Sequence, residues 1–264
     1  MVHQSARLPV SEVGTGLSLV FIHAGVADRR SWYDVMAIVG GSRRAVAYDR
    51  RGYGDSVYQP EPFSPVEDLR AVLDDRAIDR AVLVGCSNGG QIAFEAAFVL
   101  PERVAALVLV DSAPQGAPMS EIGPATEDLA AAIDEADEAG DLDRVNELEA
   151  RLWLDGPEAA AGRVTGPARE LFLDMNGRAL RAGPVGEDAA MTATWDRLAD
   201  VAVPTLVVVG ALDLPHVVAR ARTMADVIPD AGLVVVDDAA HLPMLEQPSL
   251  VAATLLDFTE PITR

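Results

Sequence analysis

The sequence predicts an α/β fold in which a mostly parallel sheet is covered by helices on both faces. Short runs rich in Val, Leu and Ile alternate along the chain with segments of helical spacing. The runs show little alternation of polar and apolar residues, as expected of strands that are buried on both faces. The length of 264 residues, half of them apolar, is enough for one such domain with an insertion.

The alternation of predicted strands and helices indicates that the strands run parallel. The predicted strands are residues 17–23, 44–48, 81–84, 105–110, 205–209 and 233–236. The predicted helices are residues 31–39, 66–73, 90–99, 217–228 and 249–258. The segment from Pro9 to Gly16 is predicted to form a short hairpin that leads into the sheet, with Gly14 and Gly16 as turn residues.

Residues 114–200 interrupt this alternation because they contain no predicted strand. They include an acidic helical stretch from Glu127 to Leu154 and further helical pieces around 168–182 and 189–198. Strand character returns only after Val203-Pro204. We therefore predict a core domain made of residues 1–113 and 201–264, with residues 114–200 as a helical lid inserted into it.

The composition excludes several classes of protein. All 21 basic residues are arginine, so the lysine that P-loop NTPases, protein kinases and Schiff-base enzymes require is absent. A net charge of −20 repels nucleic acid and anionic membranes. The segment from Met1 to Leu8 lacks the features of a signal peptide, and no run of about 18 apolar residues follows. We expect a cytoplasmic protein without a nucleic-acid or membrane partner.

Cysteine and histidine usage bears on redox state and metals. Cys86 is the one cysteine, so the chain forms no intrachain disulfide, which suits a reducing compartment. The histidines stand at positions 3, 23, 216 and 241, and no two of them have the spacing of paired ligands on one helix. We expect no metal and no cofactor.

A nucleophilic serine is predicted at Ser87, where a buried strand, the pattern Gly85-x-Ser87-x-Gly89 and a helix follow one another. A serine on such a tight turn projects its hydroxyl from the sheet edge, and glycines on either side let strand and helix approach. The alternative is an ordinary serine at a helix N-terminus. Cys86 is predicted to be a packing residue and not a second nucleophile.

A second strand ends in His23 and then in small residues. Such a loop can offer a backbone N–H to an oxyanion, and we predict Gly25 as one donor, with Val26 as the alternative. The second predicted donor is Asn88, the residue after the nucleophile. His23 is predicted to fix this loop by hydrogen bonding.

An acid and a base follow later strands. Asp213 lies just beyond the strand 205–209 and is predicted to orient the base, with Asp111 as its rival. His241 follows the last strand and is predicted to be the base, while His216 is predicted to be structural or part of a pocket wall. The order Ser, Asp, His is the order that this architecture demands.

The whole chain resembles the α/β-hydrolase superfamily. Residues 48–56, Tyr-Asp-Arg-Arg-Gly-Tyr-Gly-Asp-Ser, resemble its Asp-x-Arg-Gly-x-Gly-x-Ser loop, and residues 241–248 resemble its run from the catalytic histidine into the last helix. The resemblance implies an α/β-hydrolase fold with a helical lid inserted after the sixth core strand. It also implies the roles of the Ser, His and Asp residues.

The subgroup most similar to this chain contains 3-oxoadipate enol-lactonase and small esterases, an impression to which residues 153–157 contribute. Arg50 and Arg51 are interpreted as loop-bracing residues and not as substrate ligands.

These residues predict acyl transfer to water from a small, largely apolar ester or lactone. Carbon–carbon hydrolases, cofactor-free lyases and perhydrolases keep the same serine motif and stay open, as does a small-molecule receptor that retains the three residues. The lid residues that we predict to contact substrate are Trp153, Phe172, Met175, Met191 and Trp195. If the substrate carries a carboxylate, a lid arginine is a candidate to bind it: Arg151, Arg178 or Arg181.

Overall fold

A seven-stranded sheet forms the centre of the protein in the computed structural model, which describes residues 6–118, 122–189 and 192–262. The strands of this part of the chain are β1 (Ala6–Arg7), β2 (Val10–Val13), β3 (Ser18–Ile22), β4 (Arg44–Tyr48), β5 (Val57–Tyr58), β6 (Ala81–Cys86), β7 (Val104–Val110), β8 (Thr205–Gly210) and β9 (Ala231–Val236). The order in the sheet is β2-β4-β3-β6-β7-β8-β9, and every pair is parallel except β2 with β4. The six predicted strands and the mostly parallel sheet are confirmed.

The N-terminal segment differs from the predicted hairpin. Strand β2 pairs antiparallel with β4, and the next strand in the chain, β3, lies on the far side of β4. Gly14 and Gly16 do occupy turn positions, with φ of 76° and 110°. The segment thus supplies one edge strand instead of two. In the described residues, five strands of the seven-stranded sheet precede residue 114 in chain order.

Helices cover both faces of the sheet, and all five predicted core helices are present. The helices of the described residues are α1 (Tyr33–Val39), α2 (Pro65–Asp75), α3 (Asn88–Val99), α4 (Pro124–Glu138), α5 (Leu142–Glu149), α6 (Pro167–Leu180), α7 (Pro215–Val227), α8 (Pro243–Glu246) and α9 (Pro248–Thr259). Shorter helical turns are formed by Arg29–Trp32, Pro101–Arg103, Ala150–Asp155 and Trp195–Asp200.

The core consists of two apolar layers, because successive side chains of a strand point to opposite faces. Phe21 and Val84 belong to the layer that contains α1 and α9. Their neighbours Ile22 and Leu83 belong to the layer that contains α2, α3 and α7. All four side chains are fully buried. This arrangement explains why the strands read as continuous apolar runs in the sequence.

The segment between β7 and β8 is helical where the structure describes it. It carries α4, α5, the helical turn Ala150–Asp155, α6 and the turn Trp195–Asp200. Its β-type pairing within the described residues is a single bridge between Phe63 and Asp188. No helix in the described ranges is long and apolar enough to cross a membrane.

Candidate active site

Ser87 lies on a sharp turn between β6 and α3. Its backbone has φ +51° and ψ −120°, a conformation that costs a residue with a Cβ about 1–3 kcal/mol. Two contacts hold the turn: the Ser87 N–H donates to the Val110 carbonyl over 2.9 Å, and the Ser112 hydroxyl donates to the Ser87 carbonyl over 2.6 Å. The turn therefore places the serine at the carboxyl edge of the sheet, where the sequence predicted it. Ser112 was not anticipated.

The glycines after Ser87 allow close approach of α3 to the sheet. A Cβ on Gly89 would overlap the carbonyl oxygen of Ile22 at the end of β3. A Cβ on Gly90 would overlap the Ser112 side chain. The Gly-x-Ser-x-Gly pattern is thus a packing requirement of this strand–helix junction, and only a glycine meets it without displacing the neighbouring backbone.

Cys86, one residue before the turn, is fully buried in the core. Its Sγ lies 3.5 Å from the carbonyl oxygen of His241. Burial raises the pKa of the Cys86 thiol well above its usual range. A neutral, inaccessible thiol is a packing residue and a poor nucleophile.

Asp213 and His241 are joined by a hydrogen bond, since Nδ1 of His241 lies 2.7 Å from Oδ2 of Asp213. Both residues are buried, with 5% and 4% of their surface exposed. The second oxygen of Asp213 accepts from the N–H of Leu214 over 2.7 Å, which fixes the carboxylate. With Nδ1–H donated to the carboxylate, the imidazole keeps its Nε2 lone pair free to accept a proton.

Ser87 and His241 line the same cavity, which has a volume of about 160 Å³. It is here called the elbow cavity, after the sharp turn that carries Ser87. Trp153 forms another wall, with its ring centroid 4.7 Å from that of His241. The elbow cavity is lined by Ser87, Gln91, Asp111, Ser112, Ala113, Trp153, Leu214, His216, Val217, Arg220 and His241. His216 is therefore a pocket wall, as one of the two predicted roles has it, and burial lowers its pKa.

Asp111 is a second carboxyl group close to Asp213 and His241. It is 2% exposed, and its Oδ1 accepts from the N–H of Gly210 over 2.8 Å. Burial and the Asp213 carboxylate raise the pKa of Asp111 well above its usual range. Asp111 has no hydrogen bond to His241, so the described contacts assign the orienting carboxylate to Asp213.

Asp111, Asp213 and His241 together have the residue types of a metal site, and their ligand atoms lie within 4.8 Å of one another. Two ligands of one zinc ion are held roughly 3.3 Å apart by bonds of about 2.0–2.2 Å in a tetrahedron. The 2.7 Å between Asp213 and His241 is shorter than this and fits a hydrogen bond. Nδ1 of His241 and Oδ2 of Asp213 are thus hydrogen-bonded to each other and are too close together to be two ligands of one zinc ion.

The loop after β3 is held by His23, as predicted. The His23 ring is fully buried, and Nδ1 donates to the Ala24 carbonyl over 2.8 Å. Nε2 accepts from the N–H of Arg50 over 3.0 Å, which fixes the tautomer. Burial keeps the pKa of His23 well below its usual range, so the ring is neutral.

The predicted oxyanion donors lie beside each other. An added Cβ on Gly25 would stand 3.5 Å from the side-chain nitrogen of Asn88. Within the described residues, no carbonyl or side chain accepts a hydrogen bond from the N–H of Gly25, Val26 or Asn88. Unpaired N–H groups beside a nucleophile are what an oxyanion hole requires.

Of the five lid residues predicted to contact substrate, one lines the elbow cavity. Trp153 does so, whereas Phe172 and Met175 are 0% and 1% exposed and pack in the core. Neither of these two lines the elbow cavity, and their contact with substrate stays a prediction. Trp195 packs, half-buried, against the other core layer. Met191 lies outside the described residues.

A clamp between the insertion and the His241 loop was not anticipated from the sequence. Arg163 donates to the carbonyls of Leu154 and Asp155 over 2.7 and 2.8 Å, and to the carbonyl of Asp238 over 3.0 Å. It also forms an ion pair with Glu246, which in turn accepts from the backbone N–H one residue before His241. No local motif marks the ion pair between Arg163 and Glu246, which are 83 positions apart.

Residues 153–157 lie directly against the two loops that carry the acid and the base. The N–H of His241 donates to the Trp153 carbonyl over 3.1 Å. Gly156, at φ +90°, approaches the Leu212 carbonyl so closely that a Cβ would overlap it. Residues 153–157 therefore contact both loops that carry the predicted acid and base.

Comparison with known proteins gives matches over most of the chain. The model described as "Alpha/beta hydrolase family" matches residues 19–254. A thermophilic esterase structure from Thermogutta terrifontis has a TM-score of 0.81 and 25% identity, over 100% of this chain and 97% of that one. The enol-lactonase structure from Burkholderia xenovorans LB400 has the same fold, with a TM-score of 0.75 and 23% identity over 97% of each chain.

A curated relative matches a shorter stretch. The 2-hydroxymuconate semialdehyde hydrolase of Pseudomonas sp. strain CF600 is 37% identical over 124 residues. That stretch is 44% of this chain and 43% of the relative, so it spans less than half of the relative's length.

Proposed function

The chain belongs to the alpha/beta hydrolase family, and on that premise we propose that it is a serine hydrolase of small carboxylic esters or lactones. The observation that carries the proposal is the 2.7 Å hydrogen bond from His241 to Asp213, with His241 facing the same cavity as Ser87. A hydroxyl, an imidazole and a carboxylate in this relation form the machinery of acyl transfer. The substrate is a small, largely apolar molecule.

The proposed mechanism uses Ser87 and His241 at the elbow cavity, Asp213 behind His241, and the N–H groups of Gly25 and Asn88. Nε2 of His241 removes the Ser87 proton as Oγ attacks the substrate carbonyl, and Asp213 stabilises the imidazolium. The N–H groups of Gly25 and Asn88 bind the oxyanion. His241 then protonates the leaving alkoxide, and the same imidazole activates the water that releases the acid.

We further propose that residues 114–200 act as a lid over this site. The support is the position of Trp153, which contributes its ring to the wall of the elbow cavity and its carbonyl to a hydrogen bond with His241. A cavity of about 160 Å³ suits the small alcohol part of an ester, and its indole wall favours apolar groups.

The test uses 4-nitrophenyl acetate, 4-nitrophenyl butyrate and γ-butyrolactone with wild type and Ser87→Ala. We expect turnover by wild type and a loss of kcat of about 10⁴-fold or more in the variant. A fluorophosphonate probe should label wild type and Ser11→Ala, a control on the outer strand β2, but not Ser87→Ala. Near-normal turnover or labelling in Ser87→Ala would refute the nucleophile. A burst of 4-nitrophenol without turnover on both esters, with no hydrolysis of the lactone, would refute ester and lactone hydrolysis and favour a receptor.

A second candidate is a carbon–carbon bond hydrolase on the same three residues. It is favoured by the relative at 37% identity, whose named substrate, 2-hydroxymuconate semialdehyde, is not an ester. Release of a carboxylic acid from that compound, faster in kcat/KM than from any ester or lactone tested, would replace the first candidate with the second.

A further inference from the structure

Two neighbouring arginines after β4 have different environments. Arg51 is buried and forms two hydrogen bonds to the Asp68 carboxylate, at 2.8 and 3.0 Å, and an ion pair with Glu61 at 3.4 Å. It is the loop-bracing residue that the sequence predicted. Within the described residues, Arg50 has no carboxylate within 4.0 Å. Its charge is therefore not used by an ion pair.

The Arg50 guanidinium is nevertheless held in place. Nη2 donates to the Ala24 carbonyl over 3.1 Å, and the guanidinium carbon lies 4.5 Å from the centre of the Tyr53 ring. Its Nε is buried and has no hydrogen-bond acceptor. A buried donor without an acceptor is costly, so the protein holds this guanidinium in place at some expense of stability.

Arg50 lines a cavity of about 150 Å³, here called the Arg50 cavity. Other walls are formed by Tyr48, Tyr53, Phe63, Asn88 and Ile92. Burial raises the pKa of Tyr48 well above its usual range, so its phenol stays protonated and can donate a hydrogen bond. The cavity thus combines aromatic walls with a cation and a neutral hydroxyl.

The position of the Arg50 cavity relates it to the acyl part of a substrate. The elbow cavity lies on the side of His241, which protonates the leaving alcohol in the proposed mechanism. The Arg50 cavity borders Asn88, one of the proposed oxyanion donors, and Arg50 itself bonds the Ala24 carbonyl next to Gly25, the other. In the proposed mechanism the acyl chain lies on the other side of the carbonyl from the leaving alcohol, and the Arg50 cavity is the cavity that borders the oxyanion donor Asn88.

Two acidic groups also face the Arg50 cavity. Asp68 is occupied by Arg51. Burial raises the pKa of Asp188, whereas the charge of Arg50 lowers it, but the two form no ion pair. Neither carboxylate therefore neutralises the Arg50 guanidinium by contact.

The lid arginines that the sequence suggested for a substrate carboxylate are engaged elsewhere. Arg151 donates to the carbonyls of Gly156, Pro157 and Ala159. Arg178 pairs with Asp55 and Asp174, and Arg181 pairs with Asp143, each of them largely exposed. None of the three lines the elbow cavity or the Arg50 cavity.

We propose that Arg50 is a specificity-determining residue that binds a carboxylate at the far end of the substrate's acyl chain. The substrate class is then the half-ester of a short dicarboxylic acid, or a lactone that carries a carboxylate. This inference rests on the proposed ester or lactone hydrolysis. The sequence interpretation preferred loop bracing to substrate binding as the role of Arg50. The proposal assigns substrate binding to it instead.

The test compares two substrates of equal chain length, 4-nitrophenyl hydrogen glutarate and 4-nitrophenyl pentanoate. Arg50→Gln should lower kcat/KM at least about tenfold for the glutarate ester, mainly through KM, because a charge-assisted hydrogen bond is lost. It should change kcat/KM for the pentanoate ester less than about twofold. Arg50→Lys, which keeps the charge, should retain part of the preference. Arg178→Gln, which alters an exposed lid arginine, is the matched control and should leave both values unchanged.

Two outcomes contradict the proposal. An equal loss on both esters would show that Arg50 only braces the Ala24 loop, and no change on either would show that it does not contact substrate. Binding of glutarate, with glutaramide as the uncharged control, separates this inference from the proposed function. A rise in Tm with glutarate, lost in Arg50→Gln, supports the carboxylate site even if neither ester is hydrolysed. No glutarate-dependent rise in wild type, together with equal ester rates, overturns it.

Discussion

The carboxyl groups of Asp111 and Asp213 lie within 4.8 Å of each other, and both residues are buried. Two ionised carboxylates so close together repel strongly, and one of them therefore holds a proton. Asp213 accepts hydrogen bonds from His241 and from the Leu214 N–H. Burial and Asp213 raise the pKa of Asp111, so Asp111 is the protonated member.

Because Asp213 contacts His241 and Asp111 does not, replacement by asparagine should affect activity differently at the two positions. Asp213→Asn should lower kcat about 10⁴-fold, because an amide holds the imidazole in the wrong tautomer. Asp111→Asn replaces a neutral carboxyl by a neutral amide of the same shape and should cost less than about tenfold. The check is kcat on a 4-nitrophenyl ester for both variants. If Asp111→Asn were the crippling change, the acid would be Asp111.

Glu246 predicts a pH dependence of stability. Burial raises its pKa from 4.5 to about 7 in the folded protein, against the opposing charge of Arg163. A carboxyl with a raised pKa binds a proton in the folded state that the unfolded chain has already released. Its contribution is therefore complete below pH 4.5 and is lost as the pH rises through 7, by up to about 3 kcal/mol.

Urea unfolding at pH 5 and pH 8 measures this contribution. The free energy of unfolding should fall more steeply with pH in wild type than in Glu246→Gln, which cannot ionise. Glu102→Gln, at an exposed glutamate, should retain the wild-type slope. Parallel slopes in wild type and Glu246→Gln would show that Glu246 titrates as it does in the unfolded chain.

From the strained backbone of Ser87 we predict that Ser87→Gly stabilises the fold while it abolishes activity. At φ +51° and ψ −120° a Cβ is strained, and glycine is not. Ser87→Gly should raise the free energy of unfolding by about 1 kcal/mol after the extra flexibility of the unfolded chain is subtracted. Ser87→Ala keeps the Cβ and should not gain stability. Equal stabilities of the glycine and alanine variants, measured by urea unfolding, would mean that the turn is unstrained.

At Gly89 we predict the opposite effect: adding a side chain should destabilise the fold. A methyl group there would overlap the Ile22 carbonyl and push the end of β3 and its His23 loop away from α3. Gly89→Ala should lose about 1–3 kcal/mol of stability and most of its activity. Gly183→Ala, where nothing lies within 4 Å of the added group, serves as the control. A stable and active Gly89→Ala variant would show that the strand–helix junction tolerates a wider spacing.

The strands, the core helices and the positions of Ser87, Asp213 and His241 could be predicted because each has a local signature. A residue at the end of a buried strand is placed at the sheet edge by the strand itself, whatever the rest of the chain does. The resemblance to small esterases and enol-lactonases could be predicted for the same reason, and the family match agrees with it.

Other features depend on contacts between distant residues and could not be read locally. The segment 9–16 has the turn glycines of a hairpin, yet β2 gains more by pairing with the exposed edge of β4. Phe172 and Met175 have a helical spacing that is the same for a core face and a pocket face. The clamp of Arg163 and Glu246 joins the insertion to the last helices, and no spacing rule connects them.

Trp153 supplies two contacts to His241, a carbonyl acceptor for its N–H and a ring against its imidazole. If the proposed lid opens by moving this segment, the movement removes both contacts from His241. Substrate entry and catalysis would then take place in different conformations. His241 would be held in position for catalysis only in the conformation in which the segment covers the site. Bulk water, which enters whenever substrate does, would meet a base that is out of alignment.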